Sequence, residues 1–431
     1  MKEPLNGLPE GIASSYRPRL MDQQVVRHLA AFGGVLLEGP KWCGKTWTGL
    51  RHAATSVMVQ NRQVRRLADL DPEDLLTGER PMLVDEWQDA PDLWDVARQM
   101  IDLSANKGLF IFTGSAVPPR DATRHSGTGR FARLRMRPMS LFEMGNSTGA
   151  VSLGQLLAGQ APKPVASAMT YKNVIKLICR GGWPGSLEQD DDHALLLPGQ
   201  YLRAVAESDL ERIDGVNRDP AKVKAVLQSL ARNTASQAKA TTIQNDVAVM
   251  GGHAREVTAA TVRNYISALE RIFVVEDLPV WRYSLRSKTL LLVSPKRHFT
   301  DPSLAVAALA ATPEQLALDP ETAGFLFESL CVRDLRAYAD AHLGKVCHYR
   351  DSKGLEADAI VTAPGGRWGA VEAKLGMSQE DAAAASLLRL KKTVTGQVPE
   401  PAFLMVLTAV GGAAYTRPDG VHVVPIDCLG P

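Results

Sequence analysis

The sequence lacks the features that mark several protein classes. Its five cysteines are an odd number, lie far apart and form no C-x-x-C pair, which argues against a disulfide framework or a zinc knuckle and fits a reducing compartment. No apolar run approaches about 18 residues, and the first twenty residues have no apolar segment of a signal peptide. We therefore expect a soluble, cytoplasmic protein without membrane contact.

The sequence also has no large excess of positive or negative charge. The chain has 49 Lys+Arg against 47 Asp+Glu, a formal net charge of +2, so any nucleic-acid surface has to be a local patch. With 45% hydrophobic and 22% charged residues, the composition excludes collagen-like, coiled-coil and largely disordered proteins. The nine histidines form no H-x-x-x-H pair, which disfavours zinc catalysis. The 431 residues predict about two to four domains.

The first third of the chain alternates between strand and helix patterns. Short apolar runs at residues 34–38, 82–86 and 109–114 are typical of buried parallel strands, and a helical pattern begins at Pro91. Residues 145–170 are rich in Gly, Ala, Ser and Pro, which is typical of a connector. Helical spacing followed by a basic segment favours a winged helix-turn-helix further on, with a solvated edge hairpin as the alternative. The cations of this segment are Arg282, Arg286, Lys288, Lys296 and Arg297. Five strand patterns and a helix near 325–338 predict a separate α/β domain at the end.

A phosphate-binding loop is the most specific motif. The residues GPKWCGKT fit G-x-x-x-x-G-K-[ST] and lie between an apolar strand and a helix. In such a loop the backbone N–H groups bind an anion, Lys45 reaches the terminal phosphates and Thr46 holds Mg²⁺. A glycine-rich turn with an exposed lysine is the alternative. The motif therefore predicts ATP and Mg²⁺ as cofactors, bound by Gly39, Pro40, Cys43, Gly44, Lys45 and Thr46.

Two adjacent acids, Asp85 and Glu86, follow the second apolar run. In P-loop enzymes the first acid joins the Mg²⁺ shell and the second orients or polarises the attacking water. A helix N-cap explains one acid but rarely both. Ser115, directly after the third strand, is a candidate γ-phosphate sensor, although hydroxyl residues are common in loops.

Arginine is concentrated after the third strand, where a single acid, Asp121, accompanies it. Arg130 follows Gly127-Thr128-Gly129 and is a candidate arginine finger, acting in cis or from a neighbouring subunit. An exposed basic loop and a DNA-contacting patch are the alternatives. The arginines of this segment are Arg120, Arg124, Arg130, Arg133, Arg135 and Arg137.

The sequence resembles the AAA-type ATPases of bacteria and archaea that carry a C-terminal "domain of unknown function 4143". YRPRL, LLEGPKWCGKT, MLVDEWQDAPDLW, FIFTGSA and GTGRFARLRMRPMSLFE carry the resemblance over residues 17–140, and it continues through GGWPGSL, SDLERIDGVNRDP, LARNTAS, TVRNYISALERIFVVEDLPVW and SPKRHFTDPSL. It implies that Lys45, Thr46, Asp85 and Glu86 are the nucleotide and Mg²⁺ motifs and that Arg130 is the arginine after the sensor strand. Trp42 and Cys43 depart from the residues usual in this loop.

A second polar pattern resembles the PD-(D/E)-x-K nucleases, whose carboxylates hold Mg²⁺ and whose lysine assists the chemistry. The family resemblance includes such a restriction-endonuclease-like domain. Ala357 replaces the proline of the motif name. An exposed ion pair at a strand end and a nuclease-like fold without cleavage activity are the alternatives. The pattern consists of Glu328 on a helix, Asp358 on a strand, and Glu372 and Lys374 on one face of a later strand.

These observations together predict an α/β protein of four parts. They are an AAA-like P-loop ATPase domain (1–145), a linker with a helical lid (146–220), a winged-helix-like domain (221–300) and a restriction-endonuclease-like domain (301–431). We expect an Mg²⁺-dependent ATPase whose nucleotide state moves the winged-helix and nuclease-like module on or near DNA. A nucleotide-gated binding switch and an ATP-controlled nuclease are the alternatives, and a protein partner or a homo-oligomer is a further expectation.

Overall fold

The computed structural model describes residues 15–104, 106–117, 127–250, 257–283 and 294–431. These residues form two compact units. The smaller unit contains the described part of Met1–Pro138 together with Asp209–Asn217 and Ala268–Phe273, and the remaining residues form the larger unit. Of the helices in the described ranges, none combines the length and apolarity that crossing a membrane requires.

The smaller unit is built on a five-stranded sheet in the order β2-β3-β4-β1-β5, and every neighbouring pair is parallel. The parallel sheet expected from the apolar runs is thus confirmed. The strands are β1 (Gly34–Glu38), β2 (Thr55–Met58), β3 (Met82–Asp85), β4 (Phe110–Gly114) and β5 (Phe131–Arg135). The helices are α1 (Met21–Leu29), α2 (Lys45–His52), α3 (Arg62–Leu70), α4 (Pro72–Leu75) and α5 (Asp92–Ser104), with a 3-10 turn at Trp87–Asp89.

An aromatic stack fixes the turn that follows β3. Trp94 on α5 lies between Trp87 and Phe131, with ring centroids 4.8 and 4.2 Å away, and the Phe112 ring meets it edge-on at 5.3 Å. All four rings belong to the core on one face of the sheet. Such pairs add stabilisation beyond the area that they bury. The two tryptophans therefore have a packing role.

The remaining helices belong to the larger unit or to the later segments of the smaller one. Those before the last sheet are α6 (Leu153–Leu157), α7 (Tyr171–Arg180), α8 (Asp191–Ala204), α9 (Leu210–Asp214), α10 (Pro220–Arg232), α11 (Ala240–Met250), α12 (Ala259–Arg271), α13 (Pro302–Leu309) and α14 (Pro313–Ala317), and a π-helical turn at Val205–Asp209 joins α8 to α9. Helices α10 to α12 precede the antiparallel pair β8 (Val275–Leu278) and β9 (Lys296–Phe299). This order is compatible with a winged helix, which stays a prediction, and Arg286 and Lys288 of the basic segment lie outside the described residues.

A seven-stranded sheet in the order β10-β11-β12-β13-β15-β14-β7 forms the core of the larger unit. Its strands are β7 (Val165–Ala166), β10 (Lys345–Arg350), β11 (Glu356–Ala363), β12 (Arg367–Lys374), β13 (Phe403–Thr408), β14 (Ala413–Thr416) and β15 (His422–Pro425). Helices α15 (Pro320–Ala341) and α16 (Glu380–Val394) accompany it. β12, β13 and β15 are parallel, whereas β10, β11 and β12 alternate in direction. The five strands expected in the last 110 residues are all present.

The segment expected to be a connector belongs to this unit instead. β6 (Val151–Ser152) pairs with β16 (Leu429–Gly430), and β7 closes one edge of the seven-stranded sheet against β14. β6, β7 and β16 are only two residues long, which is too short for an alternation of apolar and polar residues to appear in the sequence. The Gly and Pro residues around them produced the expectation of a plain linker.

A buried ion-pair network crosslinks the larger unit. The guanidinium of Arg333, on α15, donates to Asp301 at 2.8 Å and to Asp334 at 2.9 Å. Asp301 also accepts the backbone N–H of Gly182, and Asp334 that of Leu141, each at 2.9 Å. Because all three charged side chains are at most 1% exposed, removing one would leave the others without a counter-charge in the core.

Candidate functional site

The predicted phosphate loop joins β1 to α2 at the carboxyl edge of the parallel sheet. Gly44 has φ 98°, a left-handed conformation that glycine adopts without strain, and α2 begins at Lys45. A Cβ atom on Gly39 would lie 2.1 Å from the carbonyl oxygen of Met136, so only glycine fits there. Lys45 is 4% exposed, and its Nζ donates to the carbonyl oxygen of Pro40 at 2.8 Å. The lysine is therefore held inside the loop.

The two unusual residues of the loop differ in their surroundings. Trp42 has φ 64° and is 49% exposed, so its side chain is not buried inside the turn. Cys43 is fully buried, and its Sγ lies 3.8 Å from the carbonyl oxygen of Met136. A small side chain is all that this position accommodates, which agrees with a packing role for the cysteine.

Asp85 and Thr46 meet at the end of β3. The Thr46 hydroxyl donates to Oδ1 of Asp85 at 2.8 Å, and the Thr113 hydroxyl donates to the same oxygen at 2.6 Å. Burial raises the pKa of Asp85 and the neighbouring Glu86 adds to this, while the two hydroxyls and Lys45 oppose it. Sequence reasoning did not give Thr113 a partner. The parallel pairing of β3 with β4, which brings both carboxyl ends to one edge, is the signal that predicts this contact.

Glu86 is fixed by contacts to β4 and to the following turn. Its φ is 56°, unusual for a residue other than glycine, and its N–H donates to the Thr113 hydroxyl at 3.1 Å. Its Oε2 accepts the Ser115 hydroxyl at 2.7 Å, the Ser115 N–H at 3.3 Å and the Gln88 side-chain amide. Ser115, predicted as a phosphate sensor, thus contacts the acid predicted to orient water. Gln88 was not predicted.

Arg130 lies away from this group of residues. It immediately precedes β5, at the amino edge of the sheet, because Phe131 is paired with Gly34 at the start of β1. Its guanidinium is bound to Asp102 at 2.7 Å and to the carbonyl of Thr128 at 3.2 Å. The phosphate loop is at the carboxyl edge, so the structure does not bring Arg130 to it within one chain. The role across a subunit interface stays a prediction, and Arg120, Asp121 and Arg124 lie outside the described residues.

Arg19 supports the phosphate loop and was not predicted individually. It is only 8% exposed, and its guanidinium donates to the carbonyl of Cys43 at 2.6 Å and to the carbonyl of Arg137 at 2.8 Å. One side chain therefore ties the loop to the segment after β5. Charge-assisted bonds of this kind are the stronger hydrogen bonds of proteins.

A distant segment of the chain also reaches the loop. Asp209 binds the ammonium group of Lys41, a variable residue of the phosphate motif, at 2.5 Å. In the same unit, the Arg271 guanidinium donates to the carbonyl of Val117 at 3.1 Å, and the Arg135 guanidinium lies 4.2 Å from the ring centroid of Phe273. Residues 209–217 and 268–273 thus complete the smaller unit. No local sequence pattern predicts that they belong to it.

The four residues of the nuclease-like pattern also meet in the structure, within the larger unit. Nζ of Lys374 lies 2.7 Å from Oε2 of Glu372 and 3.4 Å from Oδ2 of Asp358. Lys296 on β9 joins them, with its Nζ 2.7 Å from Oε1 of Glu328 and 3.3 Å from Oδ1 of Asp358. We call these five residues the acid–lysine cluster. Sequence reasoning counted Lys296 among the basic residues of the hairpin and did not assign it to this cluster.

Charge is unevenly distributed over the carboxyl groups of the cluster. Burial raises the pKa of Glu328 and of Glu372 to about 8 each, and the charge of Asp358 adds to both. Burial would raise the pKa of Asp358 too, but Lys296 and Lys374 hold it below its ordinary value. In the ranges that the structure describes, no group of three or more His, Cys, Asp or Glu side chains is arranged to hold a metal ion.

Two cations of the basic segment are paired with acids. Arg297 binds Asp277 at 2.8 Å, and Lys296 is buried in the acid–lysine cluster. These two cations are thus engaged within the fold and contribute little free positive charge to a nucleic-acid surface.

Three known families match the chain in succession. An AAA domain matches residues 32–145, a Domain of unknown function (DUF8612) matches residues 171–315, and a Domain of unknown function (DUF4143) matches residues 323–429. The first match contains the phosphate loop and both acids after β3. The last contains Glu328, Asp358, Glu372 and Lys374.

The chain is also similar to two curated proteins and to several solved structures, all at low sequence identity. The uncharacterized proteins Rv2008c of Mycobacterium tuberculosis and Mb2031c of Mycobacterium bovis are each 23% identical over 343 residues, covering 78% of this chain and 69% of theirs. A Walker-type ATPase of Pyrococcus abyssi is 12% identical over 70% of this chain and 99% of its own, with a TM-score of 0.41. AMPPCP-bound DnaA of Aquifex aeolicus is 13% identical over 61% and 89% of the chains, with a TM-score of 0.23.

Proposed function

We propose that the chain, which is an AAA-type P-loop ATPase with a C-terminal DUF4143 domain, hydrolyses ATP with Mg²⁺ and transmits its nucleotide state to a module that acts on or near DNA. One observation carries the proposal of hydrolysis. Two networks, Thr46–Asp85–Thr113 and Glu86–Ser115, lie side by side at the edge of the sheet where the phosphate loop begins. A passive nucleotide-binding site has no need for the second network.

The residues around the loop fit both ATP and Mg²⁺. Lys45 now donates to a loop carbonyl, and we propose that its ammonium group turns to the terminal phosphates when they bind. The Thr46 hydroxyl and the Asp85 carboxylate are oxygen donors, the kind that Mg²⁺ prefers, and we assign the metal to them. When bound, Mg²⁺ neutralises the negative charge that develops on the phosphate oxygens.

Glu86 is the proposed base for hydrolysis. Its Oε2 is engaged with Ser115 and Gln88, while Oε1 receives no hydrogen bond from the residues that the structure describes. We propose that Oε1 accepts a hydrogen bond from the attacking water and takes up its proton as the new P–O bond forms, while the bond from the γ-phosphorus to the bridging oxygen breaks and ADP leaves. Ser115 then acts as a positioning residue, because it holds the carboxylate in one orientation.

We propose that the contact between Lys41 and Asp209 transmits the nucleotide state of the phosphate loop to the rest of the chain. Asp209 ends the π-helical turn Val205–Asp209, and such turns are frequent at functional sites. Triphosphate binding places negative charge near Lys41, which competes with Asp209 for its ammonium group. The covalent connection from Asp209 to α8 and α10 carries any resulting shift into the rest of the chain.

The experiment for this function measures phosphate release by the full chain with ATP and Mg²⁺, alone, with double-stranded DNA and with RNA. Turnover that DNA stimulates supports the proposal. Hydrolysis without any response to DNA would retain the ATPase and remove DNA as the partner. Tight ATP binding without turnover would instead favour a nucleotide-gated switch.

The switch has a structural observation in its favour. In the acid–lysine cluster, the ammonium group of Lys296 lies between two carboxylates that a nuclease needs for its metal. The second candidate function is therefore a nucleotide-gated binding protein whose nuclease-like domain recognises a partner without cutting it. An ATP-controlled nuclease predicts plasmid nicking that D358A or K374A abolishes, and intact plasmid with the wild-type chain would count against it.

A further inference from the structure

Lys296 is not part of the sequence pattern that predicted the other four residues of the acid–lysine cluster. It is the first residue of β9, whereas Glu328 lies on α15 and Asp358 on β11. The side chain is only 7% exposed, and its ammonium group is within 3.3 Å of an oxygen of each acid. Three separate elements of the larger unit thus converge on one buried positive charge.

A divalent ion and this ammonium group would compete for the same oxygens. Magnesium binds carboxylate oxygens at about 2.0–2.1 Å and calcium at about 2.3–2.6 Å, so an ion shared by Glu328 and Asp358 would lie between them. That is where the structure has Nζ of Lys296. A divalent ion and the ammonium group of Lys296 would repel each other strongly if both were held by the same two buried carboxylates. The ion therefore enters only when the lysine leaves.

The second lysine of the cluster does not have this position. Nζ of Lys374 is 2.7 Å from Glu372, but its distance to Asp358 is 3.4 Å, and its side chain is 26% exposed. It contacts a different oxygen of Asp358 from the one that Lys296 contacts. Lys374 therefore matches the lysine of the nuclease pattern, while Lys296 is an additional cation.

We infer that Lys296 occupies the divalent-cation position of a nuclease-like site with its own ammonium group. The cluster is then a self-occupied cation site, in which an internal lysine joins β9 to α15 and β11, and it becomes a site for Mg²⁺ or Mn²⁺ when that lysine is removed. The inference deepens the second candidate function but depends only on the cluster, so it stands or fails independently of ATP hydrolysis.

The test is Mn²⁺ binding to the full-length, nucleotide-free chain, followed by the electron paramagnetic resonance of free Mn²⁺. Replacing Lys296 by methionine keeps the length of the side chain and removes the charge. We expect K296M to bind one more Mn²⁺ per chain than the wild type, with an affinity at least about tenfold higher than any binding at this site in the wild type. The extra site should disappear in the double variant K296M/D358N. K374M is the matched control, and it should not open the site.

Two results would overturn the inference. One is a folded K296M chain, verified by circular dichroism, without additional Mn²⁺ binding. The other is Mn²⁺ binding by the wild type that D358N removes, because the site would then accept a metal beside Lys296. If K296M does not fold, the wild type and D358N decide the matter alone. Identical Mn²⁺ titrations support a site closed by lysine, and a difference refutes it. Any Mn²⁺ binding near Asp85 is the same in the wild type and in all variants, so it cancels when their titrations are compared.

Discussion

Replacing Glu86 by glutamine is expected to preserve ATP binding and to lower turnover by about 10²- to 10⁴-fold, the usual effect of losing a positioned general base. The substitution keeps the shape of the side chain, so one amide oxygen can still accept the Ser115 hydroxyl that now lies 2.7 Å from the carboxylate. What disappears is the negative charge on Oε1, the oxygen proposed to accept the proton of the attacking water. Since each tenfold change corresponds to about 1.36 kcal/mol, the barrier should rise by about 3–5 kcal/mol.

The assay for this prediction measures ATP affinity by equilibrium titration and phosphate release under saturating ATP. E73Q is the matched control, because Glu73 is an exposed glutamate on α4 in the same unit, and both quantities should stay at wild-type values. Phosphate release by E86Q within a few-fold of the wild type would refute the role of Glu86 as the base. A large loss of ATP affinity would show instead that its contacts maintain the loop.

Three further substitutions test the surroundings of the site and of the core. Ser115→Ala removes the hydroxyl that orients Glu86 and should lower the single-turnover rate about tenfold without changing ATP affinity, whereas an unchanged rate would exclude the positioning role. Arg333→Met leaves two carboxylates unpaired in the core and should lower the free energy of unfolding in urea by about 3–5 kcal/mol, and a loss below 1 kcal/mol would contradict this. Asp209→Asn breaks a partly exposed pair, so the free energy of unfolding should fall by less than about 1 kcal/mol, while ATP should bind a few-fold more tightly because Lys41 is released. Weaker ATP binding by this variant would count against competition for Lys41.

The parts of the fold that the sequence predicted are those that local patterns determine. β1, β3 and β4 are buried on both faces and therefore read as continuous apolar runs, and a motif with fixed spacing follows the first of them. The contact of Thr46 with Asp85 follows from these patterns, since all strands of a parallel sheet have their carboxyl ends at the same edge. The same reasoning placed Glu372 and Lys374 on one strand face, where they are indeed paired.

The segments that complete the smaller unit were beyond such reasoning. Residues 209–217 and 268–273 lie far along the chain from the phosphate loop, and their local sequence patterns do not indicate which unit they join. The bond between Asp209 and Lys41 depends on the tertiary path of the chain. The predicted boundary at residue 145 separates these segments from the sheet that they contact, so spacing alone underestimates the extent of this unit.

Arg130 illustrates a different failure of sequence proximity. It comes after β4 and Ser115 in the chain, and the sequence left open whether it reaches the phosphates in cis or from a neighbouring subunit. The chain first returns to the opposite edge of the sheet, because β5 is parallel to β1 and starts beside Gly34. An arginine before a parallel strand is therefore at the amino edge, and only one after the strand reaches the carboxyl edge.

The two acidic sites differ mainly in the groups that donate hydrogen bonds to their carboxylates, and less in the spacing of their acids. Asp85 accepts hydrogen bonds from two neutral hydroxyls, which hold its carboxylate in place and leave its negative charge for a cation. Asp358 accepts from two ammonium groups, which use that charge within the fold. Sequence patterns that name only the acids treat both sites alike. The capacity of such a site to take a metal depends on whether a lysine from another element has reached it first, and for Asp358 that lysine is Lys296.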